Sequence, residues 1–262
     1  MKHQSIHSGL MIALILLLSA CGGAHSVPTA TPTIAATNTP EPTATATQTS
    51  VPTKTPSPTI TPDLAATKQY EDLFAQVQKY YDAGQTSTTE GEYVAFDDYL
   101  KELAFKLSYD WTETGVTAKN FIVRADFEWS NAINTANISG CGFVFRVQES
   151  NQDHYLIVLD AFSGVKLASS TDRGTYSMGS PQNGDKKVSD FGPGPYQATF
   201  AMVVNDLKTY VYVNDIYQGE YKLLDYRITD SGLLSPAILS AASVEYGTRC
   251  KMTNVRAWII DP

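Results

Sequence analysis

Histidine is scarce in this chain of 262 residues, which contains only four. Three of them, His3, His7 and His25, precede the part of the sequence that has the composition of a folded domain, where His154 stands alone. Multi-histidine zinc sites and helical His-Glu-x-x-His enzymes are therefore excluded from that domain. A serine–histidine–aspartate triad would have to use His154 as its base, and the Gly-x-Ser-x-Gly motif is absent.

Lysine and arginine are also fewer than the acidic residues. The chain has 19 Lys and Arg against 27 Asp and Glu, a formal net charge of −8, and no basic stripe. Because nucleic-acid binding depends on clustered Lys and Arg, no nucleic acid is expected as a partner.

Long apolar runs are missing as well. The aliphatic run from Leu10 to Leu18 is far shorter than the roughly 20 residues that a membrane-spanning helix needs. It follows a polar start with Lys2 and precedes the small residues Ser19 and Ala20, which is the three-part layout of a secretory signal. The sequence therefore predicts a signal peptide at residues 1–20.

The pattern Leu18-Ser-Ala-Cys21 is typical of a bacterial lipobox, in which the cysteine becomes the acylated first residue of the mature protein. Each buried methylene of an acyl chain contributes about 0.8 kcal/mol, so several chains attach a protein firmly to a lipid membrane. We therefore expect an extracytoplasmic protein anchored through Cys21. The alternatives are an ordinary cleaved signal with an incidental cysteine, or a short anchor that is never cut.

Residues 21–63 are predicted to form a disordered tether after the anchor. From Val27 to Asp63 the sequence is dominated by Thr, Pro and Ala, with no aromatic residue and almost no charge. Such a stretch buries too little apolar surface to offset the entropy of the chain, and its prolines favour extended conformations.

Residues 64–84 are predicted to form one amphipathic helix, over Leu64 to Tyr81. Asp63 can cap its start, and Gly84 is a fitting stop. Apolar and aromatic residues repeat at spacings of three and four, namely Tyr70, Leu73, Phe74, Val77, Tyr80 and Tyr81. We expect this helix to pack on the domain behind it, and a dimerisation helix is the alternative.

Residues 85–262 are predicted to form an all-β domain, because the hydrophobic period changes to two. In Phe121–Trp129, apolar residues alternate with Arg124, Asp126 and Glu128. Further strands are expected at Cys141–Val147, Tyr155–Asp160, Thr199–Val204 and Lys208–Val213, from Leu233 onward, and at Thr253–Ile260. Short strands between Gly, Asn and Asp turns indicate an antiparallel sandwich or barrel.

The order of these strand motifs resembles the concanavalin A-like lectin/glucanase superfamily. The similarity rests on Phe121–Trp129, Ser139-Gly-Cys-Gly-Phe-Val-Phe-Arg146, His154-Tyr-Leu156 and Tyr210-Val-Tyr-Val-Asn214. It extends over roughly residues 90–261 and is greatest to bacterial laminin-G-like and 3-keto-disaccharide hydrolase-like domains. The resemblance implies a two-sheet jelly roll that often binds glycans on a concave sheet and is not catalytic in several branches.

A disulfide between Cys141 and Cys250 follows from cysteine parity and from this fold. Lipidation of Cys21 leaves an even pair in an oxidising compartment. In jelly rolls of this type, the last strand often returns beside an early one, which makes the bridge geometrically reasonable. Redox activity is the alternative, although the spacing is far from Cys-x-x-Cys.

Two carboxylates on one strand face, Asp126 and Glu128, are candidates for a binding or catalytic role. Glycoside hydrolysis needs two carboxylates that flank the scissile bond. The Glu-x-Asp-x-x-Glu motif of jelly-roll glucanases is absent from this sequence. A solvated strand face is therefore the leading interpretation of this pair.

Arg146 and Asp160 are candidates on two strands that we expect to be neighbours. In the keto-disaccharide hydrolase-like relatives, an arginine at the matching Phe-Arg position lies on the cleft side, which implies a ligand-facing role for Arg146. The alternative is a structural salt bridge between the two strands.

Exposed aromatic rings favour sugar recognition, because they stack on pyranose rings beside polar groups. Tyr210 and Tyr212 share one strand face, and packing is the alternative role for each. The complete set of candidate ligand-binding residues is Arg124, Asp126, Glu128, Arg146, His154, Asp160, Tyr210 and Tyr212. Further aromatic candidates are Trp111, Tyr155, Tyr176, Tyr196, Tyr246 and Trp258.

No cofactor is predicted, with one alternative. Asp172, Asn183 and Asp185 could line a calcium-binding loop of the kind found in some laminin-G-like relatives, and plain turns are the leading interpretation. The sequence thus favours a non-catalytic, surface-anchored glycan-binding module. The alternatives are an extracytoplasmic hydrolase of the keto-disaccharide type and an interaction module that uses the helix.

Overall fold

The computed structural model describes residues 64–133, 139–160, 164–178, 194–240 and 242–261, which contain one helix and fourteen strands. Helix α1 spans Leu64–Asp82. The strands are β1 (Glu92–Ala95), β2 (Tyr99–Leu103), β3 (Ser108–Trp111), β4 (Thr117–Ala118), β5 (Asn120–Asn131), β6 (Gly140–Val147), β7 (His154–Asp160), β8 (Gly164–Thr171), β9 (Gly174–Ser177), β10 (Tyr196–Asn205), β11 (Lys208–Val213), β12 (Ile216–Lys222), β13 (Gly232–Ser240) and β14 (Thr248–Asp261).

The strands form two antiparallel sheets of seven. Sheet A has the order β1-β14-β5-β10-β11-β12, with β2 also on β14, and sheet B has the order β3-β13-β6-β7-β8-β9, with β4 also on β13. Sequence neighbours such as β10 and β11 pair as hairpins, whereas β14 returns beside β5 across more than a hundred residues. The predicted jelly-roll sandwich is confirmed.

The core lies between the inner faces of the two sheets. Strand β5 buries Phe121, Val123, Ala125, Phe127 and Trp129, as its alternation predicts. Aromatic rings from the two sheets meet there, and the Phe127 ring of sheet A lies 5.9 Å from the Phe143 ring of sheet B. At about 25 cal/mol per Å² of buried apolar surface, this core is the main source of stability.

Helix α1 packs on the outer face of sheet A and covers half of it. Leu73, Val77 and Tyr80 are its buried residues. Beneath them lie the outward residues of four strands, which we call the covered half of the sheet: Ile122, Ala201, Val203, Tyr210, Tyr212 and Trp258. The helix stops at Gly84, whose φ of 70° is a conformation that glycine adopts without strain.

A disulfide joins the two sheets. Cys141 on β6 is bonded to Cys250 on β14, with a Cα–Cα distance of 5.6 Å and a sequence separation of 109. Both residues are fully buried. In the chain-entropy account, closing a loop of this size stabilises the fold by roughly 4.7 kcal/mol. The predicted pairing is therefore confirmed.

Four strands between residues 92 and 118 were not predicted. They lie at or near sheet edges, they have two to five residues, and their side chains are mostly half-buried or exposed. Edge strands of this kind lack the alternation that identifies a half-buried strand. The signal peptide, Cys21 and the tether lie outside the described residues. Among the described residues, no helix is long and apolar enough to cross a membrane.

Candidate functional site

Arg146 does not face a ligand cleft. Its side chain is fully buried, and its guanidinium donates to the backbone carbonyls of Lys119 (2.9 Å) and Asp206 (2.7 Å). Its φ is 53°, and the pairing of β6 with β13 shifts register beside it. Because this bulge interrupts the alternation of β6, the side chain turns between the sheets, and the predicted solvent-facing orientation is wrong.

Asp160 lies far from Arg146. The prediction that β6 and β7 are neighbours is confirmed, but Asp160 pairs with Gly140, at the end of β6 opposite Arg146. Six positions of a strand correspond to about 20 Å. Asp160 is also fully buried. The two residues therefore form neither one cleft nor the alternative salt bridge.

Tyr210 and Tyr212 share one face, as predicted, but helix α1 covers that face. Each tyrosine is only 8% exposed. The Tyr212 ring lies 5.1 Å from the Tyr80 ring, and its hydroxyl donates to Gln85 at 2.7 Å. Both tyrosines therefore hold the helix on the sheet, and their predicted exposure to a ligand is wrong. The sequence did not reveal which strand face the helix would occupy.

His154 is buried in an aromatic cluster on the outer face of sheet B. Its Nδ1 lies 2.6 Å from the carbonyl oxygen of Gln152, which can only accept, so Nδ1 carries the proton. Its Nε2 lies 3.0 Å from the Tyr109 hydroxyl, and the Trp111 ring is 5.1 Å away. Burial lowers the pKa of His154. A neutral imidazole that packs under two aromatic rings is suited to a structural role.

Arg124 marks the edge of the helix on sheet A. Its guanidinium donates to Asp215 at 2.7 Å and to Gln76 of the helix at 3.2 Å. The hydrogen bond from Arg124 lowers the pKa of Asp215. Arg124 thus separates the covered half from the rest of the outer face. We call that remainder the open half, and its outward residues are Asp126, Glu128, Gln197, Thr199, Lys251 and Thr253.

Asp126 and Glu128 share one face, as predicted, and both line a groove of about 380 Å³ in the open half. Asp126 is held in place, because its two carboxylate oxygens accept from Thr199 Oγ1 at 3.1 Å and from Asn254 Nδ2 at 2.7 Å. Asn254 in turn accepts from Gln69 of helix α1. Asp126 therefore supports the wall of the groove nearest the helix.

The next row of the sheet contains three polar side chains with no partner in the described residues. Gln197 and Lys251 are the cross-strand neighbours of Glu128 on either side. Their side chains and that of Glu128 are exposed and make no hydrogen bond or ion pair there. An amide, a carboxylate and an ammonium group thus lie side by side, available to an incoming ligand.

A second groove continues from Glu128 and has a volume of about 390 Å³. Two half-buried tyrosines, Tyr196 and Tyr246, belong to its lining, and the Arg249 guanidinium lies 4.6 Å from the centre of the Tyr246 ring. Ser130 and Asn131 complete its polar side. We call the two grooves together the polar trough. It has hydrogen-bonding groups at one end and the Tyr246 ring at the other, whereas the Tyr196 ring packs on Trp129 against the core.

Several residues of the trough were missed in the sequence. Strand β10 was predicted, but its outward residues change from Val203 and Ala201 to Thr199 and Gln197 along one face, and this change of polarity was not used. Lys251 lies before the predicted start of the last strand. Of the eight candidate residues, the structure brings only Asp126 and Glu128 together in the trough, with Arg124 at its border.

The calcium-binding alternative involves two residues outside the described part, Asn183 and Asp185. Asp172 is described, and its carboxylate accepts a hydrogen bond from Arg227 at 3.3 Å. Among the described residues, no group of three His, Cys, Asp or Glu side chains is arranged to hold a metal ion.

No known family model matches the sequence, and no curated protein matches it either. Among solved structures, the chain is similar to a carbohydrate-binding module from Bacillus subtilis, at 9% identity and a TM-score of 0.44, over 63% of this chain and 94% of that one. It is also similar to a functionally unknown protein from Saccharomyces cerevisiae (12%, TM-score 0.41, 66% and 97%) and to a tetrameric galectin from the ball sponge Cinachyrella sp. (8%, TM-score 0.37, 58% and 99%). Similarities this low carry no functional argument.

Proposed function

We propose that this chain is the glycan-binding module of an extracytoplasmic lipoprotein, and that the polar trough receives the glycan. The sequence around Cys21 supports export and lipid anchoring. The row formed by Gln197, Glu128 and Lys251 supports the binding function, because these three side chains make no hydrogen bond or ion pair within the described residues. The proposal rests on this observation.

The chemistry of this row matches neighbouring sugar hydroxyls. A hydroxyl both donates and accepts, so it can donate to Glu128, accept from Lys251, or do either with Gln197. Hydrogen bonds to charged groups contribute about 1.5–3 kcal/mol each when they are well formed. Because these side chains stand on adjacent strands of one sheet, their backbone positions are fixed before the ligand arrives.

The aromatic end of the trough adds a stacking surface. Tyr246 is half-buried, and Arg249 rests against its ring. Arg249 is itself held by Glu102, to which its Nε donates at 2.7 Å. A sugar ring that extends from the polar row toward Tyr246 would gain apolar contact there.

We further propose binding without turnover. Both oxygens of Asp126 already accept hydrogen bonds, from Thr199 and Asn254. Glu128 is then the one carboxylate lining the described trough that accepts no hydrogen bond within the described residues, whereas Asp126 is fixed by its two partners. Hydrolysis by the usual acid and base needs a second carboxyl group across the scissile bond.

A glycan microarray followed by calorimetric titration of the best oligosaccharide tests the proposal. The mature protein should bind at least one class of oligosaccharide. The double variant Glu128→Gln with Lys251→Met should raise its Kd at least tenfold, because two charge-assisted hydrogen bonds are weakened. A chromatographic assay should detect no cleavage of the bound oligosaccharide.

The matched control is Glu71→Gln with Lys68→Met, which makes the same chemical changes at exposed positions of helix α1. It should bind as the wild type does. Equal affinity of the wild type and the trough variant, or no binding to any glycan, would overturn the trough as a glycan site. Release of a product would overturn the absence of turnover.

A further inference from the structure

A cluster of exposed aromatic and aliphatic side chains surrounds another groove, which is separate from the polar trough. The groove has a volume of about 340 Å³ and lies between β9 and the segment that follows β12. Tyr226 is 79% exposed, Leu224 is 68% exposed and Tyr176 is 49% exposed. Large apolar side chains gathered at one exposed place indicate a contact surface, whereas single exposed ones do not.

The Tyr226 ring rests on a fixed support. The Arg227 guanidinium carbon lies 5.9 Å from the centre of that ring. Arg227 donates to both oxygens of Asp225, at 3.0 and 2.9 Å, and to Asp172 at 3.3 Å. A guanidinium with three such bonds has little freedom, so the backbone that carries Tyr226 is held beside it.

The support continues into the core of the domain. Tyr155, which is fully buried, donates its hydroxyl to the backbone carbonyl of Asp225 at 3.1 Å. The Asp225 amide returns a hydrogen bond to the same hydroxyl at 3.2 Å. The exposed tyrosine is therefore connected to the sandwich through Arg227, Asp225 and Tyr155, and a ligand would not have to order a mobile loop.

The charges around this groove favour an uncharged ligand. The cation of Arg227 is already matched by the carboxylates of Asp225 and Asp172. Ser169 and Ser177 are neutral hydrogen-bonding groups in the lining. An anionic ligand would have to compete with two carboxylates for one guanidinium, in a chain whose net charge is −8.

We propose that this tyrosine groove, lined by Tyr176, Tyr226, Leu224, Ser169 and Ser177, is a second carbohydrate-contact site that stacks a neutral sugar ring. It is built from residues that the polar trough does not contain, so it does not depend on the function proposed for the trough. A domain with two sites binds a polymer that reaches both more tightly than it binds a short oligosaccharide, by effective concentration.

Affinity electrophoresis of the mature protein in native gels tests the second site. The gels contain soluble neutral polysaccharides, namely laminarin, pullulan, arabinan and galactomannan, in separate runs. The wild type should be retarded by at least one of them. Tyr176→Ala with Tyr226→Ala should lose at least five-fold in apparent affinity for that polysaccharide, as expected when stacking on two rings is removed.

Two further variants separate this site from the trough. Tyr81→Ala removes another tyrosine of similar exposure, 46%, from helix α1 and should migrate as the wild type does. The trough variant Glu128→Gln with Lys251→Met should keep part of the retardation. Unchanged retardation of the tyrosine double variant, or a wild type that no polysaccharide retards, would overturn the second site. If the tyrosine variant alone loses retardation, the second site stands and the trough fails.

Discussion

The outer face of sheet A has two halves that the same strands build in opposite ways. In the covered half, β5, β10 and β14 present Ile122, Val203 and Trp258, and helix α1 packs on them. In the open half, the same strands present Glu128, Gln197 and Lys251, and these side chains make no hydrogen bond or ion pair within the described residues.

The difference shows how outward positions of one sheet can be divided between stability and binding. The inner positions of β5 are apolar from Phe121 to Trp129. The core is therefore the same behind the covered half and the open half. Only the outward positions change, and Arg124 stands where they do, bound to both Gln76 and Asp215. A sandwich can therefore bury one part of an outer face and keep another part free for a ligand.

The largest expected effect comes from breaking the covered half. Leu73→Ala should lower the free energy of unfolding by about 2–5 kcal/mol, because it removes a fully buried side chain between helix and sheet. Urea denaturation of the oxidised protein measures this. Leu64→Ala, at a position that is 79% exposed on the same helix, is the control and should change little. Equal effects would mean that the helix does not stabilise the sheet.

A smaller effect is expected at the border. The hydrogen bond from Arg124 lowers the pKa of Asp215 in the folded state, so the unfolded state takes up a proton first as the pH falls. Its contribution is complete above the ordinary aspartate pKa of about 4 and disappears as the pH falls through the folded value. As with other exposed ion pairs, it should be at most about 1 kcal/mol.

Asp215→Asn isolates this contribution, since asparagine tolerates the same positive φ of 61°. The wild type should exceed the variant in unfolding free energy at pH 6, and the gap should be narrower at pH 3. Urea titrations at both values measure it. A gap that stays constant or widens in acid would show that the ion pair does not stabilise the border.

The smallest effect on stability is expected in the open half. Gln197→Ala should change the free energy of unfolding by less than about 0.5 kcal/mol, because its exposed side chain has no partner in the described residues. The same variant should weaken the binding of the oligosaccharide identified on the microarray. A loss of stability comparable to that of Leu73→Ala would remove the distinction between the two halves.

The sequence predicted the parts of the fold that alternation and helical periodicity report. The alternation of β5 identified its buried face. The helical spacing identified the buried Leu73, Val77 and Tyr80, but the same predicted set included Tyr70, Phe74 and Tyr81, which are exposed. The strands β1 to β4, β8, β9 and β12 were missed. In β1 to β4 the reason is that short edge strands show no clear period. The sheet face that the helix covers is decided by tertiary packing, and the spacing of residues along the sequence does not indicate it.

The candidate site was predicted less well for two physical reasons. A bulge at Arg146 reversed the direction that simple alternation assigns to that side chain. The trough is formed from β5, β10 and β14, which are distant in sequence, so Glu128 could be singled out but its neighbours could not. Register between strands, rather than any local motif, brings Gln197 and Lys251 beside it.

The disulfide has a mechanical consequence for a chain pulled at both ends. Tension that enters at Leu64 first loads the contacts between helix α1 and sheet A. It then reaches Cys141 and crosses the covalent bond to Cys250, bypassing the loop between them. Tyr176 and Tyr226 lie within that loop and off the covalent path, and so does Gln197 of the trough, whereas Glu128 and Lys251 lie on the path at its two sides. A force on the chain would therefore act on the trough through β5 and β14 directly, and would reach the tyrosine groove only through the hydrogen bonds of the sheets.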